Sequence, residues 1–131
     1  MPRVDEIAHR HAFAPLVALW RYQTPAARPG PYCRCVEPGF FSAASIWEVS
    51  IKAALGKIEA DPNEMLVALQ SGGFDELAVT ARHASAVMRL PDHHRDPFDR
   101  MLVAQSMVES LALLTDDRVL SQYGAAVILT N

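Results

Sequence analysis

The sequence has little cysteine, no long apolar run and no excess of positive charge. Its two cysteines, Cys33 and Cys35, form a single C-x-C pair, which is weak as a zinc motif and strained as a disulfide. We therefore expect two free thiols in a reducing compartment. No apolar run approaches the roughly 18 residues that span a bilayer, and no secretory signal is apparent. These absences predict a cytoplasmic protein without a membrane segment.

The charge and the length limit the class of protein further. A net charge of −3 provides no positive field that would draw the chain towards nucleic acid. This argues against binding RNA or DNA by charge alone, but it is compatible with reaching phosphates through metal ions held on carboxylates. The 131 residues are half hydrophobic and 21% charged, which is typical of one globular domain with a core of reasonable size.

From Phe40 to Asn131 the sequence predicts alternating helices and short strands. Four helix starts carry a capping residue, and two of them also carry a proline at the first helical position. These starts are Ser42 (a helix to Lys57), Asp61-Pro62 (a helix to Gly72-Gly73), Thr80, and Asp96-Pro97 (a helix to about Glu109). A further short helix is predicted over Asp116 to Tyr123, and strands over Glu76 to Val79, Leu111 to Thr115 and Ala126 to Thr130. This alternation predicts an α/β fold with a parallel sheet flanked by helices.

Residues 1–39 do not follow this pattern. They are rich in proline, arginine and alanine, and Leu16 to Trp20 is their one apolar piece. The four prolines from Pro25 to Pro38 would break any element built on that piece. One interpretation is a disordered extension. The sequence therefore divides into an atypical segment, 1–39, and a domain, 40–131.

Three segments of the domain resemble motifs of one family. They follow the order of the second, third and fourth motifs of PIN domains, in particular of VapC-like toxin ribonucleases. In chain order they are FFSAASIWEVSIKAALGKI, HHRDPFDRMLVAQSMVE and LLTDDRVLSQYG. The resemblance implies a PIN-like, Rossmann-like sheet whose carboxylates gather at the carboxyl ends of the strands. It assigns catalytic and metal-binding roles to Glu48, Asp99 and Asp117, with Asp96 and Asp116 as neighbouring candidate ligands.

The same resemblance implies an activity and partners. Clustered carboxylates suit Mg²⁺ or Mn²⁺, which would activate a water for attack on a phosphodiester. The implied protein is a metal-dependent endoribonuclease, the toxin of a toxin–antitoxin pair. It would form a homodimer and be neutralised by a cognate antitoxin protein. The alternatives are a catalytically dead relic and a protein-binding α/β module, in which the acids are only helix caps.

Each candidate residue also has a purely structural interpretation. Glu48 and Lys52 are spaced to form a surface ion pair. Asp96 is placed to cap a helix, and Asp99 to favour the dipole of its first turn. One of Asp116 and Asp117 is expected to cap the short helix that follows them. Two further interpretations concern neighbouring residues: His93 and His94 are expected in a solvated loop, and Trp47 in the core or at a dimer contact.

The first motif of the family, a strand of the form LLLDTHALLW with a catalytic aspartate, is absent as the sequence is written. The codons possible for Asp5 to Phe13, read one nucleotide out of frame, allow M-K-L-L-I-D-T-H. The codons for Phe40-Phe41 give a run of T, where a base can slip. We therefore hypothesise that residues 5 to about 39 are an out-of-frame translation. Without the native strand, we expect a sheet that is open at its centre, low stability and weak or no activity.

Overall fold

The computed structural model describes residues 19–22, 39–124 and 127–129. In chain order, the strands are β1 (Leu19–Tyr22), β2 (Phe40–Ser42), β3 (Asp75–Leu77), β4 (Leu111–Thr115) and β5 (Val127–Leu129). The helices are α1 (Ala43–Ala54), α2 (Pro62–Ser71), α3 (Ala81–Ala86) and α4 (Pro97–Glu109), with short 3-10 turns at Val87–Arg89 and Leu120–Tyr123. The free thiols predicted for Cys33 and Cys35 lie outside the described residues. No helix in the described part is long and apolar enough to cross a membrane.

The four predicted helix starts are confirmed, because each depends on a local cap. Ser42 accepts a hydrogen bond from the Ala44 N–H at 3.0 Å. Asp61 accepts one from the Asn63 N–H at 2.8 Å. Thr80 and Asp96 cap α3 and α4 in the same way. These bonds satisfy N–H groups that have no partner within the first helical turn, so the chain enters each helix at a fixed residue.

The five described strands form one mixed sheet in the order β3-β2-β1-β4-β5. The pairs β2–β3 and β4–β5 are parallel, whereas β1 pairs antiparallel with both β2 and β4. Four described strands therefore share one direction and β1 runs against them. The predicted α/β fold with helices and parallel strands is confirmed, but a sheet parallel throughout is wrong.

Strand β1 fills the centre of the sheet, so the expectation of an open centre is wrong. Leu19 lies opposite Phe41 on one side and Leu114 on the other. Trp20 is 1% exposed, and its indole N–H donates a hydrogen bond to Ser106 Oγ at 2.7 Å. These four residues belong to the segment that we interpreted as a disordered extension, and that interpretation is wrong for them. The rest of residues 1–38 lies outside the described part.

Two buried apolar clusters hold the elements together. One contains Trp20 with the residues of α4 and β4 that pack on it, chiefly Leu102, Val103, Leu111 and Leu113. The other joins Phe41 of β2 to Val49 of α1, Met65 and Leu69 of α2, and Phe74 before β3. At about 25 cal/mol per Å² of apolar surface, such burial is the main stabilising contribution to the fold.

The outer face of α1 is apolar and exposed. Trp47, Ile51 and Leu55 recur at a spacing of four residues and are 63%, 37% and 65% exposed. The prediction that Trp47 belongs to the core is therefore wrong. The helix packs on the sheet through the side that carries Val49, and Trp47 on the opposite side stays largely exposed although its ring meets that of Phe98. A dimer contact through Trp47 stays a prediction.

Candidate metal centre

The candidate acidic residues come from elements that meet at one edge of the sheet. Strands β2 and β4 run in the same direction, so their carboxyl ends, Ser42 and Thr115, lie at the same edge. Helix α1 starts directly after β2 and carries Glu48, and Asp117 follows β4. Helix α4 leads back into β4, so its first turn, with Asp99, also lies at this edge. Open α/β sheets usually bind ligands at this edge.

Three side chains converge at this edge to form what we call the acidic cluster: His94, Asp99 and Asp117. One candidate ligand atom from each lies within 4.8 Å of the other two. His94 Nε2 is 3.2 Å from Asp117 Oδ2 and 3.4 Å from Asp99 Oδ2. All three residues are half-buried. Two of the three predicted catalytic acids are therefore in direct reach of one another, and a histidine lies between them.

Burial and neighbouring charge make the Asp99 carboxylate costly to ionise. Burial is the largest cause that raises its pKa to about 6 from the ordinary 3.8. The negative charges of Asp96, Glu48 and Asp117 raise it further, and His94 opposes them. A carboxylate in such surroundings gains more than a solvated one from a bound cation, because the cation offsets both the lost hydration and the repulsion.

We expect the metal-free protein to lose stability as the pH rises through 6, owing to Asp99. The folded chain holds this proton more tightly than the unfolded chain, so the contribution is complete below the ordinary pKa of 3.8 and is lost above the folded pKa of about 6. Between about pH 5 and about pH 7.5 the loss is on the order of 1 kcal/mol. Denaturant titrations in EDTA at both pH values measure it. Asp99→Asn should remove this part of the pH dependence, and an unchanged dependence would contradict the assignment.

Glu48 lies beside the acidic cluster and also forms the ion pair that its spacing predicts. Lys52 Nζ is 2.6 Å from Glu48 Oε1, and the Glu48 side chain is only 17% exposed. The hydrogen bond to Glu48 is the largest cause that raises the pKa of Lys52, and the charges of Asp96 and Asp99 also raise it. Glu48 thus acts electrostatically on Asp99, and Asp96 and Asp99 act on Lys52, although Glu48 is not one of the three groups within 4.8 Å.

Two contacts fix α1 against α4 on either side of these acids. The rings of Trp47 and Phe98 meet edge to face with centroids 5.2 Å apart. The buried Ser42 Oγ donates a hydrogen bond of 2.6 Å to Gln105 Oε1. Each aromatic residue immediately precedes an acid in the sequence, Glu48 in one helix and Asp99 in the other. The aromatic contact therefore holds the two acidic turns in a fixed relation.

Asp96 and Asp116 lie outside the acidic cluster. Asp96 Oδ1 accepts hydrogen bonds from the N–H groups of Phe98 at 2.8 Å and Asp99 at 3.4 Å, so its predicted role as a helix cap is confirmed. Asp116 is exposed. The structure brings neither into the group within 4.8 Å.

Asp117 is oriented by the turn that follows β4. Its Oδ1 accepts the Val119 N–H at 2.9 Å, and its Oδ2 faces His94. Its own N–H donates to Thr115 Oγ1 at 3.1 Å. Asp117 therefore caps the turn and reaches the cluster with its second oxygen, so the structural and the metal-binding interpretations do not exclude each other.

The expectation that both histidines lie in a solvated loop is wrong for His94. His93 is exposed, but His94 contacts Asp99 and Asp117 and its side chain is 19% exposed. Arg100 fixes the loop, since its Nη1 donates to the carbonyl oxygens of Pro91 at 3.1 Å and His94 at 3.3 Å. The sequence reasoning missed both His94 and Arg100. The only available signal was their place in the HHRDPFDR motif.

Open α/β sheets usually bind ligands at the carboxyl ends of their strands, and here that edge carries two carboxylates and a histidine that could hold a metal ion. The family model of the PIN domain matches residues 30–126. The chain therefore belongs to the PIN domain family, a family of nucleases that generally depend on divalent metals. Neither the curated proteins nor the solved structures contain a significant match to the chain.

Proposed function

We propose that this chain is a metal-dependent endoribonuclease that hydrolyses RNA phosphodiester bonds as the toxin of a toxin–antitoxin pair. The observation that carries the proposal is the meeting of Asp99 and Asp117 at the carboxyl edge of the sheet, in a chain of the PIN family. Glu48 supplies a third negative charge next to them. These three acids are the proposed catalytic residues, and the proposed site of action is the cytoplasm.

The donor set fits a hard divalent cation. Carboxylate oxygens are the ligands that Mg²⁺ and Mn²⁺ prefer, and two of them lie within 4.8 Å here. Asp99 and Asp117 would hold the ion, Glu48 would orient a water beside it, and Asp96 and Asp116 would contribute charge from further away. A bound cation would supply an activated water and stabilise charge on the leaving oxygen. The chain's own residues fix the positions of the carboxylates through α1, α4 and β4.

Among the residues that the structure describes, the proposed centre has one acid fewer than the family pattern. The first motif of PIN domains supplies an aspartate from a central strand, whereas Leu19–Tyr22, which fill that position here, contain no acid. A metal site that lacks one ligand commonly loses orders of magnitude in rate. We therefore propose that the chain as written cleaves RNA slowly.

Cleavage of a fluorophore-labelled single-stranded RNA under single-turnover conditions tests the proposal. We expect slow cleavage with Mn²⁺ or Mg²⁺, none in EDTA, and a loss of about 100-fold or more in Asp99→Asn and Glu48→Gln. Asp75→Asn, which removes an exposed acid from β3, is the matched control and should cleave like the parent chain. Cleavage that persists undiminished in EDTA or in Asp99→Asn would not depend on the proposed metal centre and would sink the proposal.

The absent first-strand acid favours a second candidate, a non-catalytic module that still binds an antitoxin. Metal binding distinguishes this candidate from the nuclease. In a chain that retains a metal site, the melting temperature should rise as Mn²⁺ is added. A chain that binds its antitoxin but shows neither a metal-dependent melting temperature nor cleavage would be the second candidate.

The proposed homodimer is tested separately by light scattering of the chain and of Trp47→Ser, which removes the largest exposed apolar side chain of α1.

A further inference from the structure

Three polar groups of His94 form hydrogen bonds that fix its position beside the acidic cluster: the backbone N–H, the carbonyl oxygen and the ring Nδ1. Its N–H donates to Tyr123 Oη at 3.1 Å, and its carbonyl oxygen accepts from Arg100 Nη1 at 3.3 Å. Its ring Nδ1 accepts a hydrogen bond from the Asp96 N–H at 3.0 Å. The backbone groups and ring Nδ1 of His94 therefore already have hydrogen-bond partners. The other ring nitrogen, Nε2, lies between Asp99 and Asp117.

The hydrogen bond at Nδ1 determines what Nε2 can do. A backbone N–H only donates, so Nδ1 must present its lone pair to Asp96, and a neutral ring then carries its proton on Nε2. Nε2–H is a donor, which suits the carboxylate oxygens at 3.2 Å and 3.4 Å. A metal ion needs a lone pair instead. In this arrangement His94 is complementary to the two carboxylates and cannot ligate a cation through Nε2.

We propose that His94 is a positioning residue that bridges Asp99 and Asp117 in the metal-free protein and competes with the cation for their oxygens. The inference rests on the metal centre of the proposed function. Asp117 Oδ1 accepts the Val119 N–H, whereas Oδ2 faces His94. A cation placed between Asp99 Oδ2 and Asp117 Oδ2 would meet the Nε2–H, whose positive end repels it, so the cation displaces this N–H from the two oxygens. His94 thus keeps the two acids together without metal and weakens metal binding.

The inference is tested by whether removing the His94 imidazole raises or lowers the affinity of the chain for Mn²⁺. Mn²⁺ binding is measured by calorimetry at about pH 8, where Asp99 is ionised, for the parent chain and His94→Ala. We expect His94→Ala to bind Mn²⁺ about 10-fold more tightly, which corresponds to one hydrogen bond to a charged group. His94→Phe keeps a ring without a donor and should show the same direction, even if the alanine variant folds poorly. His93→Ala, at the exposed neighbouring histidine, should leave the affinity unchanged.

The other outcomes separate this inference from the proposed function. Weaker binding in His94→Ala and His94→Phe would make His94 a ligand, and unchanged binding would make it a bystander. Either result overturns the inference while the metal centre stands, provided that Asp99→Asn abolishes binding. If neither the parent chain nor the His94 variants bind Mn²⁺, the metal centre itself fails and the inference fails with it. Binding by the His94 variants alone would support the inference in its strongest form.

Discussion

Restoring the shifted reading frame over residues 5–39 is expected to raise the rate of RNA cleavage about 100-fold. The restored segment would read M-K-L-L-I-D-T-H at its start, and its aspartate would add the missing carboxylate to Glu48, Asp99 and Asp117. A rate increase of this size is common when a metal site regains a missing ligand.

The direction of β1 supports the hypothesis behind this prediction. The other four described strands share one direction, and Leu19–Tyr22 alone run against them. Strands of an α/β unit that are joined by helices are parallel, whereas a segment that only fills a gap between two strands is free to pair either way. The antiparallel direction of β1 is therefore the one expected if this segment replaces a native strand at the centre of the sheet.

The measurement begins with the nucleotide sequence of the first 45 codons, followed by a comparison of the restored and present chains in the same single-turnover cleavage assay. The matched control is the restored chain in which the aspartate of M-K-L-L-I-D-T-H is replaced by asparagine; it should return to the slow rate. A gene that does not encode this string in the shifted frame would refute the frameshift hypothesis. Equal rates for the restored and present chains would refute the role of the missing acid.

Trp20→Ala is expected to destabilise the present chain by about 3–5 kcal/mol, as is usual when a buried tryptophan is removed from a core. Trp20 is 1% exposed, belongs to the larger apolar cluster and bonds to Ser106 through its indole N–H. Domains of this size are stable by only about 5–15 kcal/mol. The variant should therefore be at the edge of unfolding at room temperature, as measured by urea denaturation.

A matched control is available because the chain has one buried and one exposed tryptophan among its described residues. Trp47 is 63% exposed and makes one edge contact with Phe98, so Trp47→Ala should cost no more than about 1.5 kcal/mol. Trp20→Phe should lose about 1 kcal/mol from the hydrogen bond to Ser106. If Trp20→Ala costs no more than Trp47→Ala, β1 does not lie in the sheet, and the sheet centre is open, as the sequence first led us to expect.

The sequence predicted the elements whose boundaries depend on local chemistry. Asp61-Pro62 and Asp96-Pro97 define helix starts within a single turn, and both helices begin where these residues place them. Strand β4 was predictable because Leu111 to Thr115 is a short apolar run between a helix and a turn. In each case the signal and the structure involve the same few residues, so no knowledge of distant contacts was needed.

The features that the sequence did not predict depend on contacts between distant residues. Leu19–Tyr22 have little local signal, and their strand exists because β2 and β4 leave a position between them. Trp47 has the spacing of a core residue, but nothing in the sequence shows which side of α1 faces the sheet. For the site, the motifs identified Asp99 and Asp117, whereas His94 was missed because its role depends on Arg100 and Tyr123 fixing its loop.

The most direct test of the central claim is a crystal of the present chain grown with Mn²⁺, with anomalous scattering data recorded to locate the ion. We predict one strong anomalous peak between the carboxylates of Asp99 and Asp117, with Glu48 facing it, and no such peak in Asp99→Asn. No peak at this edge at saturating Mn²⁺, or peaks only at other surface carboxylates, would contradict the assignment of a metal centre and with it the proposed nuclease chemistry.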